Sequence, residues 1–340
     1  MKVAVVGVTG VVGEMILRVL DEREVAVDEL GAFASRDRSE PLRWRERDWP
    51  ILAASPERLS AGFDAVFFAS SDDASAELAE RAVASGAVVI DNSATFRAAS
   101  GVPLIVPEVN PEHALPEHRI FPVANCTAIV LCVALAPIAR TAGLRSVRVA
   151  TYQSVSGAGR AGLEALAAEE RAEFGSGASP GSSPFAAPIF RNVVALVGSS
   201  LDENGDSGEE KKVAAETRKM LDLPNLHVAA TAVRVPVRYA HSEAVFVETE
   251  RDTSVEELGH ALASAAGVVY HPAGIVTPRD VEGQDLVHVA RLRSESGSKR
   301  HFQLWAVGDQ VRKGAATNAV QILELLLERG YVGREPVATP

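Results

Sequence analysis

An α/β fold, with a doubly wound parallel sheet in the N-terminal part and an α+β unit after it, is what this sequence predicts on three observations. From residue 1 to about 123, short apolar runs alternate with helical patterns, the signature of parallel strands joined by crossover helices. The first of these runs ends directly in a glycine turn, Gly7-Val8-Thr9-Gly10-Val11-Val12-Gly13, that opens a helix. Beyond residue 123 the pattern changes to one long apolar helix and then to strands rich in β-branched residues.

In chain order, the first part reads as a strand at 2–6, a helix at 11–20, strands at 29–34 and 65–69, a helix at 75–85 and a strand at 87–90. The second part opens with a helix at 127–142, followed by strands at 146–155 and 227–237. Between those strands, residues 174–184 are almost wholly Gly, Ser, Ala and Pro, which reads either as an active-site lid or as a plain surface loop. The strand at 243–250 sets Ala244, Phe246 and Thr249 against Val245 and Val247, so both of its faces are expected to be buried, as in a sheet shared between subunits. A last helix at 315–327 carries Val320, Ile322, Leu323, Leu326 and Leu327 on one face and is expected to return to the first domain. The expected domains are therefore 1–123 plus 316–340, and 124–315.

Bulk properties narrow the function. A chain of 340 residues is long enough for two cores, and 47% hydrophobic with 23% charged residues is an ordinary globular balance. The net charge of -11 argues against nucleic acid as the main partner, because phosphate backbones are held by surplus Lys and Arg. The apolar start is broken by Gly7, Thr9 and Gly10, so it fits neither a signal peptide nor a membrane span. Cys126 and Cys132 lie six apart in one helical segment and point in different directions, which disfavours a disulfide and fits a reducing cytoplasm. No metal site is expected.

The glycine turn has a chemical reading and a bland one. Glycines after a first strand let a pyrophosphate approach the free N–H groups at a helix N-terminus, where the dipole favours negative charge. The spacing here is GxxGxxG, which also suits a strand-helix turn with packing glycines. At the end of the next strand, Ser35-Arg36-Asp37-Arg38-Ser39 offers two guanidinium groups and two hydroxyls to a 2′-phosphate, favouring NADP over NAD. Asp37 dissents, and the alternative is a solvated charged loop.

Asn125-Cys126-Thr127 stands at the start of an apolar helix, where the partial positive charge and free N–H groups favour a thiolate. Cys132, among Ile129, Val130, Leu131 and Val133, reads as an inert core residue. A base is also needed, and His241 occupies a bend between two strands that can present an imidazole to a cleft. His113, His118, His260 and His301 lie in polar stretches. Read without further context, Glu209 and Lys212 form a solvated ion pair.

Several segments together resemble the aspartate-semialdehyde dehydrogenase family. They are Gly7 to Gly13, Asp91-Asn92-Ser93-Ala94-Thr95-Phe96-Arg97, Val106-Pro107-Glu108-Val109-Asn110, Asn125-Cys126-Thr127, and the run from Gln153 through Gly157 to Gly159. Glu209 to Lys212, Arg234-Val235-Pro236-Val237, His241-Ser242-Glu243 and the run from Lys313 through Asn318 to Gln321 complete the set, in the family's order. The resemblance implies a Rossmann-type NADP-binding domain at 1–123 plus 316–340 and an α+β catalytic and dimerisation domain at 124–315. It implies a reversible, phosphorylating aldehyde dehydrogenase that reductively dephosphorylates L-4-aspartyl phosphate to L-aspartate 4-semialdehyde, serving lysine, threonine and methionine biosynthesis.

Carried over position by position, Cys126 matches the nucleophile, His241 the acid/base and Gln153 the residue that orients the covalent intermediate. Arg234 matches the partner of the substrate α-carboxylate, Glu209 that of its ammonium, and Arg97, Lys212 and Asn125 the group that binds inorganic phosphate or the acyl phosphate. Gly10, Ser35, Arg38 and Asn318 fall where the family contacts NADP; Gly7, Thr9, Val11, Val12, Gly13, Arg36, Ser39, Ser70 and Gly157 complete the candidate cofactor set. A homodimer or homotetramer is expected, without nucleic-acid or membrane partners. One departure stands out: Asp72 and Asp73 replace glycines near the family's cofactor path, with capping of the following helix as their other reading. The family's Cys-Ser-Thr run is also shortened to Cys126-Thr127-Ala128. The competing readings are an acyl-phosphate reductase of the N-acetyl-glutamyl phosphate type and a catalytically silent nucleotide-binding paralogue.

Overall fold

The computed structural model describes residues 1–175 and 183–332, so residues 176–182 of the loop read as a lid lie outside the described residues. The described residues form two compact units, 1–124 with 315–332, and 125–314.

The first unit starts with β1 (Lys2–Val6), α1 (Val11–Glu22) and β2 (Glu29–Ala34), followed by β3 (Leu42–Trp44), β4 (Arg47–Trp49), β5 (Ile51–Ala53) and α2 (Pro56–Leu59). It continues with β6 (Ala65–Phe68), α3 (Asp72–Ala84), β7 (Val88–Asp91) and β8 (Ile120–Pro122). Among the described residues the main sheet runs in the order β5-β2-β1-β6-β7-β8, and every pairing is parallel. Strand order reverses at β1, which has β2 on one side and β6 on the other, and the carboxyl ends of β1 and β6 flank the crevice where open α/β sheets hold ligands. Val3 to Val6, Ala65 to Phe68 and Val88 to Asp91 are buried without alternation, as in a sheet covered on both faces. The β3-β4 hairpin has no sequence signal because Arg45 and Glu46, neither of them glycine, take the positive φ its turn requires.

Asp72 and Asp73 do not cap α3. The cap is Ser71, whose side chain accepts from Ala74 N, while the Asp72 carboxylate accepts from Ala94 N at 2.8 Å.

The second unit contains α4 (Cys126–Ala142), β9 (Ser146–Gln153), α5 (Gly159–Glu173), α6 (Gly208–Leu221), β10 (His227–Arg234) and β11 (His241–Glu248). It ends with α7 (Val255–Ala263), β12 (Val268–His271), α8 (Pro278–Val281), β13 (Val287–Ser294) and β14 (His301–Gly308). Its mixed sheet has the order β10-β9-β11-β14-β13-β12, with α6 against β10 and α4 against β13 and β14. Along β11, Glu243, Val245 and Val247 are buried, whereas Ala244 and Phe246 face the other way and Phe246 is 37% exposed. That open face also carries Tyr152, 38% exposed, packed against Trp305 with ring centroids 5.4 Å apart. The expectation of two buried faces is thus met on one face only within a single chain.

After the second unit the chain returns to the first as α9 (Thr317–Glu328), which packs against α1 and is tied to its C-cap Arg23 through Glu324, Arg23 Nε donating to Oε1 at 2.9 Å and Nη2 to Oε2 at 2.7 Å. Val320, Ile322, Leu323 and Leu326 are buried, but Leu327, expected on the same face, is 37% exposed because it sits at that stripe's edge in the last turn. Among the described residues no helix is long and apolar enough to cross a membrane.

Glu243 lies wholly inside the second unit with neither carboxyl oxygen hydrogen-bonded, and burial pushes its pKa well above the usual carboxylate value. A raised folded-state pKa means the group is neutral when buried, so it opposes folding only where the unfolded chain would ionise it. The penalty is absent below the unfolded-state pKa and grows as pH rises above it, by on the order of 1 kcal/mol per pH unit. Glu243→Gln is therefore expected to gain Tm relative to the parent chain between about pH 5 and about pH 8. A difference in Tm that does not change with pH would count against a buried neutral acid.

Candidate active site

In the first unit, the turn after β1 is packed so closely against neighbouring backbone that two of its positions admit only glycine. Gly7 takes φ +90, and a Cβ there would meet the Ala69 carbonyl oxygen at 2.2 Å; a Cβ on Gly13 would meet Gly7 O at the same distance. Thr9 lies in this turn, and Gly10 is the N-cap of α1 without a side-chain cap, so the N–H groups of Val11, Val12 and Gly13 start the helix with no capping side chain. Beside the turn, Ser70 Oγ is buried with no hydrogen-bond partner. An orphaned hydroxyl next to a glycine cradle and an uncapped helix N-terminus fit a dinucleotide.

Ser35, Arg36, Arg38 and Ser39 are all exposed past the end of β2. The dissenting Asp37 is otherwise engaged: its Oδ1 accepts from Ala53 N at 2.6 Å and from Arg58 Nη1 at 3.0 Å, contacts that hold its pKa below the usual value. Arg97 belongs to the same unit and donates to Asn92 O at 2.8 Å, in a segment anchored by the buried Asp91 carboxylate, which accepts from Ser75 and Ser93. Asn318, in the first turn of α9, is buried and donates to Ile105 O at 3.0 Å.

In the second unit, Cys126 is the first residue of α4. Asn125 caps that helix, its Oδ1 accepting from Thr127 N at 3.0 Å and Ala128 N at 3.1 Å, and its own N–H donates to Glu216 Oε2 at 2.5 Å. Cys126 Sγ lies 3.5 Å from His241 Nε2. His241 is fully buried at the start of β11, and burial together with the Arg234 charge depresses its pKa well below the ordinary value. Cys132 is buried and its thiol is pushed up by desolvation, as expected of a core residue; both cysteines are free.

Around this pair, the Arg234 guanidinium is buried, donates to Ser154 O at 2.6 Å, and interacts electrostatically with Cys126 and Glu209. Glu209 does not pair with Lys212: its Oε1 accepts from Asn125 Nδ2 and from Gln153 Nε2, each at 3.0 Å. The Ser207/Glu210 capping box starts α6 and sets Glu209 in its first turn. Lys212 is exposed one turn further on, and Lys211 makes the ion pair in this stretch, with Asp202. Gln153 is buried at the end of β9, its Oε1 accepting from Thr151 Oγ1 at 3.0 Å. Gly157, a candidate cofactor residue, sits against two of the other candidates: a Cβ there would meet Arg234 Nη1 at 2.8 Å and His241 Cε1 at 3.3 Å.

Sequence reasoning missed Ser154, Glu216 and Glu210. Ser154 contacts His241, Glu216 holds the Asn125 backbone, and Glu210 accepts from Ala232 N at 2.8 Å on the strand that ends in Arg234. Ser154 and Glu210 had a faint signal, since they lie inside the runs from Gln153 to Gly159 and from Glu209 to Lys212; Glu216 had none. A thiol at a helix N-terminus beside a neutral imidazole, with a buried guanidinium and a carboxylate at the same centre, is equipped for covalent catalysis on a small carbonyl compound that carries charged groups.

Comparison with known proteins agrees. Residues 2–115 match the family model described as semialdehyde dehydrogenase, NAD binding domain, and residues 135–313 match the semialdehyde dehydrogenase, dimerisation domain. The chain is 39% identical over 338 residues to an aspartate-semialdehyde dehydrogenase of Aquifex aeolicus, covering 97% of this chain and 99% of that protein. It is 41% identical over 332 residues to aspartate-semialdehyde dehydrogenase 2 of Vibrio cholerae, covering 96% and 97%. The crystal structure of the Vibrio cholerae aspartate semialdehyde dehydrogenase II superposes with a TM-score of 0.91 at 38% identity, covering 96% of this chain and 98% of that one, and so does the same enzyme complexed with ASA. The chain belongs to the aspartate-semialdehyde dehydrogenase family.

Proposed function

We propose that this chain catalyses the NADP-dependent, reversible reductive dephosphorylation of L-4-aspartyl phosphate to L-aspartate 4-semialdehyde. Its first unit holds the cofactor; its second unit performs the chemistry and forms the subunit interface. The observation that carries the reading is the 3.5 Å approach of Cys126 Sγ to His241 Nε2 at the start of α4, with Arg234 and Glu209 acting on the same centre.

In the biosynthetic direction the Cys126 thiolate attacks the acyl carbon; a C–S bond forms, the C–O bond to phosphate breaks, and phosphate leaves, taking up a proton. When bound, NADPH supplies the hydride that reduces the carbonyl carbon of the resulting thioester. His241 Nε2 faces the oxyanion formed at that carbon and offsets its charge until the C–S bond breaks and the aldehyde is released with the thiolate restored. Gln153 orients the covalent intermediate. Arg234 receives the substrate α-carboxylate in a bidentate pair, and Glu209 receives its ammonium, because both amide bonds to Glu209 fall on Oε1 and leave Oε2 for a ligand. Arg97, Lys212 and Asn125 are assigned to the phosphate on the strength of the family resemblance.

The exposed Arg36 and Arg38 past the end of β2 support a 2′-phosphate and so NADP, and the dissenting Asp37 already has one oxygen, Oδ1, accepting from Ala53 and Arg58. Gly7, Gly10, Gly13 and Ser70 would cradle the pyrophosphate side, and Ser35, Ser39 and Asn318 complete the set. The open sheet face bearing Phe246, Tyr152 and Trp305, in the segment matched by the dimerisation-domain model, supports a homodimer, with a homotetramer as its extension. An N-acetylated substrate is disfavoured because Glu209 would then lack an ammonium partner. A silent paralogue is disfavoured by the intact Cys126–His241 pair.

Phosphate-dependent NADPH production from aspartate semialdehyde tests substrate, cofactor and reaction class together. Cys126→Ala is expected to abolish it while NADP binding persists; turnover near that of the parent chain would remove the covalent mechanism. Arg234→Lys is expected to raise the KM for aspartate semialdehyde by roughly 10- to 100-fold, since an ammonium cannot make the bidentate contact. An unchanged KM would place the carboxylate elsewhere. Replacing both Arg36 and Arg38 by Ala is expected to weaken NADP by about tenfold or more and leave NAD nearly unchanged. Equal kcat/KM with the two cofactors in the parent chain would overturn the 2′-phosphate assignment.

A further inference from the structure

His241 faces the thiol on one side and is held from behind on the other. The backbone N–H of Ser154 donates to His241 Nδ1 at 3.1 Å, and Ser154 Oγ lies 3.0 Å from the same atom. A backbone N–H can only donate, so Nδ1 presents its lone pair, and the single proton of the neutral ring then sits on Nε2. Nε2 is the nitrogen 3.5 Å from Cys126 Sγ.

The hydroxyl bonds run in a consistent direction. Ser156 Oγ donates to Arg238 O and accepts from Gln310 Nε2, so its only proton is used and it can only accept from Ser154 Oγ, 3.3 Å away. Ser154 Oγ–H therefore has two acceptors in reach, Ser156 Oγ and His241 Nδ1, and neither requires a proton on Nδ1. Gln310 Oε1 closes the loop by accepting from Ala240 N at 2.8 Å, which fixes the residue just before His241. The carbonyl of Ser154 meanwhile accepts from Arg234 Nη1 at 2.6 Å. One residue thus orients the imidazole with its donors and the guanidinium with its acceptor.

We propose that Ser154 is a positioning residue that locks His241 as the Nε2–H tautomer, so that the imidazole meets Cys126 as a hydrogen-bond donor, and Arg234 rather than an imidazolium is the countercharge of the thiolate. This rests on the reading of Cys126 and His241 as the reacting pair. A second proton on Nδ1 would point at the Ser154 N–H and lose a buried bond, which disfavours the imidazolium. The charged and titratable groups facing His241 agree: Cys126 on α4, Arg234 on β10 and Glu209 beyond Arg234 on α6, while β14 places Gly308 opposite it. Burial and the Arg234 charge both depress the imidazole pKa. The proton of the Cys126 thiol accordingly leaves to solvent and not to His241.

Histidine-selective 15N NMR of the full chain, with the His241 signals assigned by their loss in His241→Asn, tests the tautomer directly. Nδ1 is expected to be unprotonated and Nε2 protonated from about pH 6 to about pH 9; an imidazolium, or a proton on Nδ1, at neutral pH overturns the proposal. The pH dependence of iodoacetamide alkylation at Cys126 gives the second readout. The apparent thiol pKa is expected to move little in His241→Asn and to rise by about one unit or more in Arg234→Leu, and the reverse pattern overturns the countercharge assignment. Ser154→Ala is expected to lower kcat about tenfold at near-constant KM with restoration by Ser154→Thr, while a loss that Thr does not restore, or a change in KM alone, counts against a positioning role. These spectra are read without turnover, so failure of the underlying reaction assignment, seen as activity surviving in Cys126→Ala, is distinguishable from failure of the tautomer assignment.

Discussion

The N-terminus of α4 is the constraint on which the arrangement of the second unit depends. A thiolate is stabilised there only if the first N–H groups of the helix stay oriented and the entry of the chain is fixed, and Asn125 meets both needs. Its carbonyl oxygen holds the N–H groups of Thr127 and Ala128, its amide nitrogen holds Glu209, and its backbone N–H is held by Glu216. A serine in its place would cap the helix but could not also reach Glu209, since a hydroxyl lacks the second arm. The consequence extends through α6: the Glu210 of its capping box accepts from Ala232, and Ala232 lies on the strand that delivers Arg234. Cap, helix and strand are therefore linked by hydrogen bonds running from Cys126 to the guanidinium.

Burial sets the strength of what this scaffold holds. Gln153, Arg234 and His241 are nearly or wholly inaccessible, so the attraction between a guanidinium and a nearby thiolate is far less screened than at a surface. The same burial penalises any group that must ionise, which is why a neutral His241 is the favoured state. A site arranged in this way needs its polar atoms paired, and the amides of Asn125 and Gln153, the Ser154 carbonyl and the Ser156 hydroxyl each have a partner. Glu243, two residues after His241 on the same strand, is the contrast, with both oxygens unpaired and the acid neutral.

What could be read in the sequence was whatever is encoded locally. The β1 run and its glycine turn occupy adjacent positions, and Asn125-Cys126-Thr127 announces its helix start by residue type, so both were legible. The open face of the second sheet was read as buried because Ala244 and Phe246 are as apolar as the core residues between them, and an alternating pattern cannot say whether the cover comes from the same chain. The three-residue strands β3, β4 and β5 have too few positions to show any period. Asp72 resembled a cap by type, but Ser71 beside it took the role and left the carboxylate for Ala94. Glu216 and Ser154 act across 91 and 87 residues of sequence, contacts that no local pattern carries.

The two cysteines of α4 make the final point, because the same side chain on the same helix meets opposite fields. Cys126 sits where the helix dipole is positive and a guanidinium lies close, and both favour the anion. Cys132 sits almost two turns further in, where the medium is apolar and the Glu216 carboxylate lies near, and both oppose ionisation. The electrostatic environment along the first half of α4 thus runs from a position that favours the thiolate to one that suppresses it. Reactivity is thereby confined to the one thiol that the imidazole can reach.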